Sequence, residues 1–201
     1  MKPNTQRCKQ TIGKAMSCAL GGLVGFFTLG CEDSPAPRQE SIFPLSPGSS
    51  WHFSPGGGDS ILGLVEIDGR CYSEFVRSPV GLGPPYLREN EKQQILFWNG
   101  SEEQILFDFG AAVQESWGFE LLYEEFSLHY TVTLISKRTT VTLPAGTFEN
   151  CYRFDLTSVD VIDGNWIVVV ASNSGVVFRK GGFGFTIELG SYSISKVGSC
   201  Q

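Results

Sequence analysis

Ile61-Leu62-Gly63-Leu64-Val65-Glu66-Ile67-Asp68-Gly69-Arg70-Cys71-Tyr72-Ser73-Glu74-Phe75-Val76-Arg77 is the stretch that decides the fold. Two short runs rich in apolar residues flank Asp68-Gly69. An Asp-Gly pair readily adopts the two positive φ angles of a type I′ turn, whose twist matches that of paired strands. Ile61–Ile67 and Arg70–Arg77 therefore read as the arms of a β-hairpin.

The same grammar recurs outward along the chain. Ile95–Trp98 and Gln104–Phe109 flank Asn99-Gly100, with a connection longer than two residues. Gln94-Ile95-Leu96-Phe97 recurs as Gln104-Ile105-Leu106-Phe107, the two arms of one hairpin. In Phe126–Ile135, Leu128, Tyr130, Val132 and Leu134 share one face, while Thr131 and Thr133 take the other. Tyr152, Phe154 and Leu156 alternate with Arg153, Asp155 and Thr157. Asp163-Gly164 turns the chain into Asn165–Ala171, and Val176–Arg179, Phe183–Leu189 and Tyr192–Ser195 follow. No window after Trp51 keeps a helical period. The nearest, Ala111–Tyr123, is broken by Gly118. About ten to twelve strands separated by turn residues predict an all-β antiparallel meander, a closed or half-open barrel, with a β-sandwich as the alternative.

Charge divides the chain unevenly. All 21 acidic residues lie beyond position 31, whereas Lys2, Arg7, Lys9 and Lys14 precede it. The part after Gly30 carries a net charge of −10, against −6 for the whole chain. Ala15–Leu29 is apolar and uncharged, and shorter than the roughly 20 residues of a membrane-spanning helix. Basic residues followed by a short apolar run predict a signal peptide over 1–30. Thr28-Leu29-Gly30-Cys31 resembles a bacterial lipobox, which implies lipidation at Cys31. Residues 31–45 read as the lipidated Cys and a Pro/Ser-rich tether, and 46–201 as a β-rich domain.

Phe43-Pro44-Leu45 with Gly48 and Trp51, Leu106-Phe107-Asp108-Phe109 with Ser116-Trp117, and Thr142-Leu143-Pro144-Ala145-Gly146-Thr147-Phe148 with Asn150-Cys151 resemble an uncharacterised family of bacterial exported lipoproteins. The family's β-rich domain carries a T-V-P-A-G-T-F-like motif. Gly175 and Glu188-Leu189 extend the likeness, which spans most of 42–195. Leu143 and Val176-Val177 depart from the family pattern. The resemblance implies a β-fold, export and lipidation, and brings no catalytic residue with it. By its own chemistry Pro144–Phe148 is a turn: Pro ends a strand, Gly takes the strained angle, and Thr-Phe re-enters the sheet.

Chemistry-bearing patterns are sparse. The two histidines, His52 and His129, stand apart from any Cys or His cluster, so no metal site is expected. No nucleophile elbow, P-loop or dinucleotide fingerprint occurs. Gly56-Gly57-Gly58 reads as a flexible loop. Asp108, Glu102, Glu103, Glu124 and Glu125 read as a solvated acidic surface, because neighbours on a strand face opposite ways. The acidity excludes nucleic acid as a partner. Trp51, Trp98, Trp117 and Trp166 are either core residues or the lining of an apolar cavity. With Cys31 lipidated, Cys71, Cys151 and Cys200 remain; parity predicts one disulfide, read as Cys151–Cys200, and one free thiol, with all three reduced as the alternative, and a free Cys151 would be an exposed thiol beside Arg153. The sequence thus predicts a non-enzymatic, cofactor-free protein of the bacterial cell envelope, held to a membrane by a lipid anchor. A structural or protein-interaction module is the first reading, and a carrier or sensor of an apolar ligand in a half-open barrel is the second.

Overall fold

A computed structural model describes residues 41–77, 86–162 and 164–198. The signal segment, Cys31, Asp163 and Cys200 lie outside the described residues. Twelve strands follow one another: β1 (Ser50–Ser54), β2 (Gly57–Ile67), β3 (Arg70–Phe75), β4 (Tyr86–Glu89), β5 (Gln94–Trp98), β6 (Glu103–Asp108), β7 (Ser116–Leu122), β8 (Ser127–Leu143), β9 (Gly146–Thr157), β10 (Trp166–Ala171), β11 (Gly175–Lys180) and β12 (Thr186–Ser193). They form one sheet in the order β6-β5-β4-β3-β2-β1-β12-β11-β10-β9-β8-β7, with every pairing antiparallel. The fold is all-β, a meander curled into a nearly closed barrel.

The deciding hairpin forms as read. Ile67 pairs with Arg70, and Asp68 and Gly69 take φ values of 52° and 72°. The Thr142–Phe148 motif is the β8–β9 hairpin, with Gly146 at φ 131°. Asn99 Oδ1 accepts from the Ser101 and Glu102 amides, both at 2.9 Å, and so builds the longer β5–β6 connection.

Other boundaries move. Gly57 and Gly58 open β2 instead of forming a loop, and β8 runs eight residues past Ile135 because it pairs with β9 through several bulges. Phe183 leaves the expected strand for a short 3-10 turn, and Thr186–Ser193 continues as one strand, bulged at Gly190 opposite β1. Ser41–Ser49 forms no strand except as a lead-in. Phe43 and Leu45 are nevertheless buried in the core, so the folded body takes in residues that the sequence assigned to the tether.

Most inward positions are apolar and form a single cluster, with Asp59, Ser73 and Arg179 among the few buried polar residues. Rings from distant strands meet in it. Phe107 on β6 lies 4.7 Å from Phe154 on β9 and 6.5 Å from Phe43, while Phe109 lies 5.7 Å from Phe154. Such ring pairs add about 0.5–1.5 kcal/mol each beyond area burial. Outward positions on β7–β9 include Glu120, His129, Thr131, Asp155 and Thr157.

Candidate functional site

Antiparallel alternation places all odd-to-even connections at one end of the barrel and all even-to-odd connections at the other. The odd-to-even end is conspicuously apolar. Tyr123 and Phe126 in the β7–β8 connection stack at 4.7 Å, with the Tyr123 amide donating to the Phe126 carbonyl. In the β9–β10 connection Val159 is 98% exposed and Ile162 86% exposed. Phe183, 78% exposed, and Phe185 stand in the β11–β12 connection. These three connections are consecutive around the rim. Among the described residues, the opposite end exposes Val113 in the β6–β7 connection and Val197 in the segment after β12. Clustered rather than scattered exposure is the mark of an interaction surface.

The second feature is the seam. β6 and β7 are the sheet's two edges, and they lie next to each other. Side chains, not a main-chain ladder, join them. The Glu120 amide donates to Gln104 Oε1 at 2.5 Å, and Asn99 Nδ2 donates to the Glu120 carbonyl at 3.3 Å. Inside, Phe97 of β5 meets Phe119 of β7 edge-on at 5.3 Å. Outside lies a groove of about 540 Å³, whose walls include Glu102, Gln104, Gly118, Glu120 and His129.

His129 stands opposite Glu120 on β8. Its Nε2 lies 3.4 Å from Glu120 Oε1 and its Nδ1 lies 3.0 Å from Asp160 Oδ2, while its backbone amide donates to that same Asp160 oxygen at 2.7 Å. The bond from the His129 amide, then the one from its ring, hold the Asp160 carboxyl below its ordinary range. Burial raises the Tyr130 hydroxyl beside the groove.

Glu103 has a structural task. It receives Arg88, Arg70 Nη1 at 2.9 Å and Tyr72 Oη at 2.8 Å, tying β3, β4 and β6 together. Burial alone would raise its carboxyl, but the bonds from Arg88 and Tyr72 and the charges of Arg88 and Arg70 outweigh it and lower it. Glu102 lies just before β6 and accepts from Gln104 Nε2 at 3.0 Å, so the two neighbouring carboxylates differ in use. Asp108 receives Gln94 Nε2 and the Gly110 and Ala111 amides, a turn-forming role.

The four tryptophans have different surroundings. Trp51 is buried, stacks on Phe75 at 5.9 Å and donates to the Ser174 carbonyl at 2.6 Å. Trp117 packs edge-on against Phe154 at 6.2 Å. Half-buried Trp98 lies opposite Glu103, and Trp166 packs over Gly181. His52 lies outward on β1 beside a groove of about 470 Å³.

One expectation is overturned. Cys151 is a free thiol and fully buried, so it is neither disulfide-bonded to Cys200 nor an exposed thiol beside Arg153. Asn150 at φ 53° and the β8–β9 bulges disturb the simple alternation that put Cys151 on the solvent side. Cys71 is disulfide-bonded. Among the described residues, no group of His, Cys, Asp and Glu is arranged to hold a metal ion, and no helix is long and apolar enough to cross a membrane.

The sequence reading missed the rim because isolated Val, Ile and Phe in Ser158–Asn165 and Gly181–Phe185 look like strand residues. Their only distinguishing signal is the dense Asp, Gly and Ser around them.

Barrel, filled core, apolar rim and bridged seam define an antiparallel β-barrel module. No protein-family model and no curated protein matches the chain. Two solved structures are similar to it. A presumed lipoprotein of Parabacteroides distasonis shares 13% identity, over 77% of this chain and 99% of its own, with a TM-score of 0.39. A presumed exported protein of Bacteroides fragilis with a YmcC-like fold shares 12% identity, over 77% of this chain and all of its own, also with a TM-score of 0.39. At that TM-score neither likeness bears on what this chain does.

Proposed function

We propose that this protein is an exported, lipid-anchored component of the bacterial cell envelope whose barrel serves as a protein-recognition module. The apolar rim carries the recognition reading. Val159, Ile162, Phe183 and Phe185 contribute nothing to the core, and solvating them has no structural purpose. The basic segment before Cys31 and the lipobox-like ending motivate export and anchoring. The aromatic contacts among Phe43, Phe107 and Phe154 weigh against a carrier that would need that interior for its ligand. The absence of nucleophile, metal or cofactor motifs in the sequence favours a non-enzymatic role.

A photo-crosslinking residue placed at Ile162 in the full chain, in its own envelope, should give a discrete adduct. The same residue at Val113, at the other end, should not, and Phe183→Ser should abolish the Ile162 adduct. Equal labelling from both ends, or none from the rim, would refute rim recognition. Cys31→Ser should release the protein from membranes; unchanged retention would remove the lipid anchor from the reading.

A further inference from the structure

We propose that the β6–β7 seam is a strand-addition site for an extended, basic peptide segment of a partner. The seam is a feature of the main chain and is separate from the rim. Sheet edges carry amide and carbonyl groups that demand partners, which makes them templates for another strand. Ten of the strands have a strand on each side; β6 and β7 each have one on only one side. What fills the gap is telling. Both main-chain groups of Glu120, its amide and its carbonyl, are held by side-chain amides, Gln104 Oε1 at 2.5 Å and Asn99 Nδ2 at 3.3 Å. A carboxamide is chemically a peptide group on a flexible stem. These two side chains occupy the positions that a neighbouring strand's C=O and N–H would take, and a neighbouring strand can displace them bond for bond.

The groove outside the seam suits an extended chain. It holds about 540 Å³, and Gly118 places no side chain over it. Side chains of an added strand alternate, so every second one faces outward. There they meet Glu102 and Glu120 on the groove walls, with Asp160 just beyond His129. The occupant is therefore a Lys- or Arg-bearing strand. A second copy of this chain is disfavoured, because edge-to-edge pairing would bring these same carboxylates together, and like charges opposite one another destabilise a ladder.

The test uses the full-length chain in a neutral detergent and three synthetic octapeptides: alternating Lys-Val, alternating Glu-Val, and Lys-Val with alternate backbone nitrogens methylated. Lys-Val should bind, slow hydrogen exchange in β6 and β7, and leave β10 and β11 unchanged. Methylation removes ladder donors and should weaken binding by about 30-fold, the equivalent of roughly two main-chain bonds. Glu120→Lys should reverse the preference toward Glu-Val. Gln104→Ala frees the Glu120 amide and should tighten Lys-Val binding, because only Asn99 then has to be displaced. Phe183→Ser at the rim should leave peptide binding unchanged, so the seam and the rim succeed or fail separately. No binding of Lys-Val at millimolar concentration, equal binding of the methylated peptide, or dimerisation through the seam would each overturn the proposal.

Discussion

Asp59 is the best single probe of the barrel's interior electrostatics. It sits on β2 with 5% of its surface exposed, and Arg179 on β11 is 8% exposed. The Arg179 guanidinium lies 4.9 Å from the Phe53 ring centre, and neither Asp59 Oδ1 nor Arg179 Nε finds a hydrogen-bond partner among the described residues. Burial raises the Asp59 carboxyl to about 6 against the opposing pull of Arg179 and Arg77. The folded protein therefore holds the proton more tightly than the unfolded chain. The contribution of Asp59 to stability is full below the ordinary aspartate value of 3.8 and is lost as pH rises toward 6. At about 1.4 kcal/mol per pH unit over that window, the loss amounts to roughly 2–3 kcal/mol. Asp59→Asn removes the titration. Urea unfolding of wild type and variant at intervals from pH 4 to 8 should show the wild type losing that amount relative to the variant, mostly between pH 4 and 6. A difference that stays flat, or grows in the wild type's favour as pH rises, would mean that Arg179 compensates the carboxylate fully, and would refute the reasoning.

Three further outcomes are open to simple measurement. Phe154→Ala empties the meeting point of Phe107, Phe109 and Trp117 and should cost about 3–5 kcal/mol in urea unfolding. A loss below 1 kcal/mol would show that these rings are not the core's centre. Gly181→Ala places a methyl 2.7–2.9 Å from the Trp166 ring. It should destabilise by about 1–3 kcal/mol and shift tryptophan emission, whereas an unchanged spectrum and stability would contradict that packing. Burial raises the Cys151 thiol and closes it to solvent. Iodoacetamide should modify Cys151 in urea and leave it untouched in the native protein; native labelling would contradict its burial.

Legibility in the sequence followed the range of the interactions involved. Turn chemistry is local, so Asp68-Gly69, Asn99-Gly100 and Pro144–Gly146 could be placed from a few residues each. Alternation is also local, and it correctly put Tyr130, Val132, Leu134, Phe154 and Leu156 inside. It failed at Cys151, where bulges let β8 and β9 slip relative to one another. A bulge is set by how two strands fit, which neither strand encodes alone. The rim and the seam were illegible for a related reason. Phe183 and Phe185 have the composition of a strand, and only the lack of a partner over Gly181–Phe185 turns them outward. Gln104 and Asn99 are ordinary polar residues until closure of the sheet brings Glu120 to them.

The direction of the barrel ties these features together. The Asn173 amide in the β10–β11 connection donates to the Ile42 carbonyl at 2.9 Å, and Ser41 Oγ bonds to Glu89 at the end of β4. The leading segment therefore joins the barrel at its even-to-odd end, where Phe43 enters the core. The apolar rim is at the opposite end, and twelve-residue β9 alone spans about 40 Å of extended chain between the two. In the function proposed above, a tether entering at this end would leave the other end free to meet a partner. Had the rim hydrophobics surrounded the entry of the leading segment, the proposed anchor would have given them the simpler role of resting on its membrane. Their position at the far end, beside Glu124, Glu125 and Asp160, favours a protein surface with basic character over an anionic lipid one.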